Sequence, residues 1–227
     1  MVESSVVQLT KQKSHRLINS KFPPISLFDD VADAEEFEFL YDLQARTNPR
    51  LLNEIGDINL VSKEEIPFGI VGCSYATASF THVNPNGSRF SDGSFGALYM
   101  ADKIETAIAE TRHHQSIVFS NIEGLAYDTI TMRGLSCIFS GELIDITHEY
   151  DENLYHLTDY SSAQNLGAQL KKQGSEGLQY KSVRKEGAVC WVLLTPKKVI
   201  KIEQTSHYEF IWDGEKIAKV EKIAKVI

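Results

Sequence analysis

Apolar and polar positions along the chain change rhythm several times. From residue 31 to 56 they fall at helical spacing: Ala34, Phe37, Leu40, Tyr41 and Leu43 form a rough stripe, and Asn48-Pro49 interrupts it before a second short helix ending at Gly56. Before this, residues 1–25 are polar and of mixed charge, and Pro23-Pro24 mark an extended connector. From Ile66 the run IPFGIVGCSYATASF reads as strand-like, and HVNPNGSRFSDGSFG (82–96) reads as a loop because Asn, Gly, Ser, Pro and Asp favour turns. ALYM then predicts a short strand. A helix follows, with Asp102 as its cap, Glu105 three residues on as in a capping box, and Ile104, Ala107, Ile108 and Thr111 on its buried side.

Residues 125–148 predict strands around Gly134 and Gly141. Asp159–Gly174 predicts another helix, with Ala163, Leu166 and Leu170 on one face, Lys171 and Lys172 in the last turn and Gly174 as the stop. GLQYKSV and AVCWVLLTP predict strands on either side of a turn at Arg184–Gly187, and β character runs on through Lys197–Trp212. The tail repeats EKIAKV and fits either a last strand or a helix. Strands and helices do not alternate regularly, so the pattern predicts an α+β fold rather than a doubly wound sheet. It divides the chain into a helical N-terminal subregion (1–62), a main domain (63–212) and a tail element (213–227).

Composition changes this picture little. Of 227 residues 42% are hydrophobic and 24% charged, enough to bury a core. The net charge of −8, with no basic block, argues against direct nucleic-acid binding. No apolar run approaches a membrane span, and the N-terminus lacks a secretory core, so a cytoplasmic protein is expected. Cys73, Cys137 and Cys190 are widely spaced and fit buried free thiols. No metal is expected, since no HExxH or paired-cysteine spacing occurs, and neither a phosphate-binding GxxxxGK[ST] loop nor a GxSxG elbow exists.

Polar residues concentrate at three places where strands end. Arg89 stands in the loop NGSRFSDG, Tyr99 ends a strand with Glu110 eleven residues later on the next helix, and Tyr180, Ser182 and Arg184 lead into Glu186-Gly187. Each has an ordinary explanation: a solvated arginine, a packing tyrosine, a glutamate on a wet helix face, an Arg184–Glu186 ion pair. Together and in order, FGALYMADKIETAIAETRHH and EGLQYKSVRKEGAVCWVLLTP resemble the two signature segments of the RES domain family, with NGSRF supplying the arginine. The resemblance spans roughly residues 66–200. Here Lys181 stands where the family often has proline.

The resemblance implies an ADP-ribosyltransferase-like split or mixed β-sheet core with flanking helices. It implies a bacterial toxin that acts on NAD as substrate, with no prosthetic group, a homodimer, and an Xre-type helix-turn-helix antitoxin as partner. It places Arg89, Tyr99, Glu110 and Ser182 at the family's catalytic positions. Arg89 would hold the pyrophosphate, Tyr99 would stack on a cofactor ring, and Ser182, on the strand face of Tyr180, would position carboxamide or ribose. Arg184 is a second candidate for phosphate, and His114, one turn beyond Glu110, a candidate to orient it. The reaction is NAD glycohydrolysis or phosphorolysis, with mono-ADP-ribosylation of a protein as the alternative. Ile108 stands where protein-modifying transferases often carry a second acid, which favours a small acceptor.

Overall fold

The computed structural model describes residues 5–22, 28–29, 31, 33–45, 55–149 and 151–224. The connector at Pro23-Pro24 and the break at Asn48-Pro49, with most of the short helix after it, lie outside them. Among the described residues, seven strands and four α-helices build one mixed sheet with helices on both faces. The strands are β1 (Ser5–Asn19), β2 (Leu98–Ala101), β3 (Asp128–Asp145), β4 (Gly177–Lys181), β5 (Val189–Leu193), β6 (Val199–Trp212) and β7 (Ile217–Lys222). The helices are α1 (Ala34–Ala45), α2 (Cys73–Thr81), α3 (Ile104–Ser120) and α4 (Ser161–Lys172).

The long strand β3 organises the sheet. One edge pairs antiparallel with β1 along most of its length. The other edge is shared: β6 takes Asp128 to Phe139, and β4 pairs parallel at Ile144 and Asp145. β4 pairs with β5, β5 with β2, and β2 returns to β1 at His15–Ala101, so five strands close on themselves while β6 and β7 diverge. This is the mixed, split α+β sheet expected. A parallel pair needs a long crossover, and here the β3–β4 crossover carries α4 over one face.

Strand alternation divides the core in two. Leu98, Met100, Trp191, Leu193, Leu135 and Cys137 point toward α1 and α2. Ala101, Cys190, Val192, Leu178 and Tyr180 point toward α3 and α4. Cys73, Cys137 and Cys190 are buried and free.

Three local expectations are corrected. Ser5–Asn19 is not part of a helical subregion but forms β1, which pairs with both β2 and β3; Ser5, Gln8, Thr10, Lys11 and Lys13 are exposed while Ser14 and Leu17 are buried, a weak alternation that sequence patterning underrates. The segment Cys73–Thr81, read as strand-like, is helical. Gly72 at φ 81° turns the chain into it, and Cys73, Ala76 and Phe80 are buried at helical spacing. Asp102 does not cap α3; Lys103 is its N-cap, and the Asp102 carboxylate accepts the Thr106 hydroxyl at 2.7 Å. The tail repeat forms β7 in its first copy. Arg112 and Ser116 of α3 bond the backbone of Ile217 and Ala218 and so cover that stretch of the edge strand.

Candidate active site

Arg89 lies in the loop between α2 and β2 and is only 8% exposed. Tyr99, at the second position of β2, ties that loop down on both sides of the arginine. Its phenolic oxygen accepts the Phe90 amide at 2.8 Å and pairs with the Ser88 hydroxyl at 2.8 Å. Burial pushes the phenol up to about 12, so it stays protonated and can donate. The Tyr99 carbonyl in turn accepts from Arg16 of β1 at 3.1 Å. The ring expected to stack on a ligand is thus half-buried, and its hydroxyl anchors the arginine loop. Replacing Tyr99 by Phe leaves the Phe90 amide without that acceptor. The expected cost is about 1–3 kcal/mol, read as a lower urea midpoint, with weaker substrate binding as the loop loosens.

α4 braces the same loop with residues that share one face. The Tyr160 ring at its N-cap lies 4.5 Å from the Arg89 guanidinium carbon. Gln164 donates to the Ser88 carbonyl at 3.0 Å. Gly167 lets the Phe90 backbone touch the helix: a Cβ there would stand 1.9 Å from the Phe90 oxygen. The Arg89 Nη1 donates to the carbonyls of Leu154 and His156, so the guanidinium is held by neutral dipoles and a ring. Arg89→Lys keeps the charge and loses the fork, and the expected outcome is a KM for an anionic substrate raised roughly tenfold, measured by steady-state kinetics.

Glu110 projects from α3 toward the β4–β5 turn. The Ser182 hydroxyl, nine-tenths buried, donates to its Oε1 at 2.5 Å. The direction of that bond follows from the turn. Ser182 Oγ accepts the amides of Arg184 (3.2 Å) and Lys185 (3.1 Å), which leaves its own proton for the carboxylate. Gly187 at φ 71° closes the turn. Below Ser182 lies the Cys190 thiol, which burial and the nearby Glu110 and Asp102 charges push up to about 12; it is an unreactive packing group.

Arg184 donates through Nη2 to His113 Nε2 at 2.7 Å and to the Leu157 carbonyl, while its Nε is buried without a partner among the described residues. It forms no ion pair with Glu186, which is exposed. Among the described residues no ion pair involves Arg89, Arg184 or Glu110. The His113 imidazole lies within electrostatic reach of Arg184, Glu110 and Arg89 together, so the sequence-distant groups share one locale.

The structure therefore brings Arg89, Tyr99, Glu110, Ser182 and Arg184 together. Tyr180 lies elsewhere in function: its ring is 6% exposed and packs edge-on to Phe90 at 4.9 Å, in the core beneath the loop. His114 makes no hydrogen bond to Glu110; it packs edge-on to His113 at 5.5 Å. Sequence reasoning missed His113, Tyr160, Gln164 and Gly167. The last three recur at helical spacing along α4, but a polar stripe with a glycine does not stand out from a solvated face. Among the described residues no cluster of three or more His, Cys, Asp or Glu is suited to a metal, and no helix is long and apolar enough to cross a membrane.

A carboxylate and two arginines, without acidic partners among the described residues, are set where strand ends meet two helices; such a set can hold an anion and can stabilise positive charge that develops beside the carboxylate. The family model of the RES domain matches residues 66–213, which contain α2 to α4 and β2 to β6, and the chain belongs to this family. It is similar along 208 residues, at 29% identity, to the uncharacterised protein y4oC of Sinorhizobium fredii (strain NBRC 101917 / NGR234), covering 92% of this chain and 86% of that protein. Among solved structures it is similar to one described as the crystal structure of the M. tuberculosis MbcT–MbcA toxin–antitoxin complex, at 13% identity and a TM-score of 0.38, covering 53% of this chain and 73% of that one.

Proposed function

We propose that this protein is an enzyme that cleaves the nicotinamide–ribose bond of NAD, as the toxin of a toxin–antitoxin pair. The observation that carries the reading is the Glu110 carboxylate, oriented by the Ser182 hydroxyl beside arginines that no acid among the described residues neutralises. As the bond between C1″ and the pyridinium nitrogen breaks, its electron pair leaves with nicotinamide, which departs neutral and needs no general acid. Positive charge develops on the ribose, as in glycoside hydrolysis. A fixed carboxylate stabilises that charge. Arg89 and Arg184 hold the diphosphate, which solves the puzzle of an anion on an acidic protein: local forked contacts outweigh a diffuse charge that salt screens beyond about 8–10 Å.

Water or inorganic phosphate then attacks C1″, giving ADP-ribose or its 1″-phosphate, and the attacking group loses its proton. Ile108, an apolar residue two positions before Glu110, favours these small acceptors over a protein side chain. Family membership supports the rest of the proposal: an Xre-type helix-turn-helix antitoxin that covers the site, a homodimeric toxin, and action in the bacterial cytoplasm. Residues 63–212 would form the catalytic domain, completed by β1 of the preceding segment.

The test is brief induction in a bacterial host with cellular NAD followed over time. The expected result is a fall in NAD before growth stops, absent with Glu110→Ala and prevented by co-expression of the adjacent antitoxin. Growth arrest with NAD unchanged would shift the reading to a protein target.

A further inference from the structure

His113 stands outside the groups that family resemblance assigns, yet it makes the most direct side-chain contact to Arg184. Glu110 and His113 are three residues apart and share a face of α3. Ser182 and Arg184 are two apart in the β4–β5 turn. The two pairs form successive rungs, Ser182 to Glu110 at 2.5 Å and Arg184 to His113 at 2.7 Å. We infer that His113 is a positioning residue for Arg184, and that its neutral imidazole sets the guanidinium to receive an anionic group of the substrate. The identity of that group as the NAD diphosphate rests on the function proposed above.

Donor chemistry fixes the state of the ring. A guanidinium has only donors, so His113 Nε2 accepts through its lone pair and the ring proton sits on Nδ1. Arg184 Nη2 is occupied by His113 and the Leu157 carbonyl, while Nε is buried with no acceptor among the described residues. A buried N–H without a partner is costly, so the fixed position of the guanidinium rests on the His113 and Leu157 bonds. Among the described residues no carboxylate neutralises Arg184, so its charge remains for the ligand.

Protonation would remove the lone pair and set two cations in contact. The groups that face His113 are Arg184 from the turn, Arg89 from its loop, and Glu110 and His114 from α3 itself. Burial, then Arg184, His114 and Arg89, push the imidazole below its ordinary value of 6.5, and Glu110 acts in the opposite sense. The shift extends the neutral state of His113 further toward acid than in a free imidazole, and protonation on acidification would release Arg184.

The experiment is steady-state NAD cleavage from about pH 5 to pH 8 with wild type, His113→Gln and His113→Phe. The glutamine oxygen accepts but does not titrate. The phenylalanine keeps the bulk and cannot accept. In the wild type KM rises on the order of tenfold on acidification while kcat changes less. H113Q keeps the high-pH KM and loses the acid rise, and H113F has the raised KM at every pH. A persisting acid rise of KM in H113Q, or an unchanged KM in H113F, overturns the inference. If the wild type does not cleave NAD, the substrate reading fails separately. Calorimetric binding of inorganic pyrophosphate by the same three proteins then decides, with the same order expected and equal affinities overturning it. Nitrogen NMR of the wild type supplies a reading independent of ligand: an unprotonated Nε2 above pH 6.5 is expected, and a protonated one contradicts the account.

Discussion

Glu110→Gln lowers kcat for NAD cleavage by about 10²–10³ with KM little changed. The glutamine retains an oxygen for the Ser182 hydroxyl, so the rung between α3 and the β4–β5 turn survives and the fold is kept. What is lost is the negative charge, and that charge is useful only once the ribose becomes cationic. An interaction made in the transition state and not in the ground state appears in kcat. Ser182→Ala tests the same rung from the other side. It leaves the carboxylate charged but removes the donor that orients it and the acceptor for two amides, so a smaller fall in kcat accompanies a loss of stability of about 1–3 kcal/mol. Equal activity of E110Q and wild type would remove Glu110 from the chemistry.

Gly167→Ala is expected to disturb the arginine loop directly. In a helix interior alanine is favoured over glycine by about 1 kcal/mol. Here the added carbon would lie 1.9 Å from the Phe90 oxygen and 2.8 Å from its carbonyl carbon. Both atoms are backbone, so α4 or the loop must move. Overpacking of this kind costs about 1–3 kcal/mol and sometimes more. Arg89 is the residue before Phe90, so its guanidinium moves with the loop. The expected result is a lower urea midpoint together with a raised KM for NAD. A stabilised G167A with unchanged KM would show that the contact does not govern the loop.

The sequence made some parts of this site legible and hid others for physical reasons. The helix holding Glu110, the helix ending at Gly174 and the strands flanking Arg184–Gly187 carry strong periodicity, and all appear where expected. The ordered segments around Arg89, Tyr99, Glu110 and Ser182 identified the family. The segment Cys73–Thr81 misled because a helix buried nearly all round shows no polar face to betray its period. β1 misled because half of a central strand can be polar where its side chains reach solvent. At Tyr99 the sequence points to the ring, whereas the hydroxyl holds the loop. His113 and Gly167 act through a contact with a distant residue, and such pairings arise only on folding.

The most direct test of the central claim is proton NMR of NAD incubated with the purified protein, with and without inorganic phosphate. The account predicts that nicotinamide signals grow as NAD signals fall, with ADP-ribose or its 1″-phosphate as the matching product, and that E110Q slows this by about 10²–10³. NAD that persists unchanged in both buffers, with the protein folded, would contradict it.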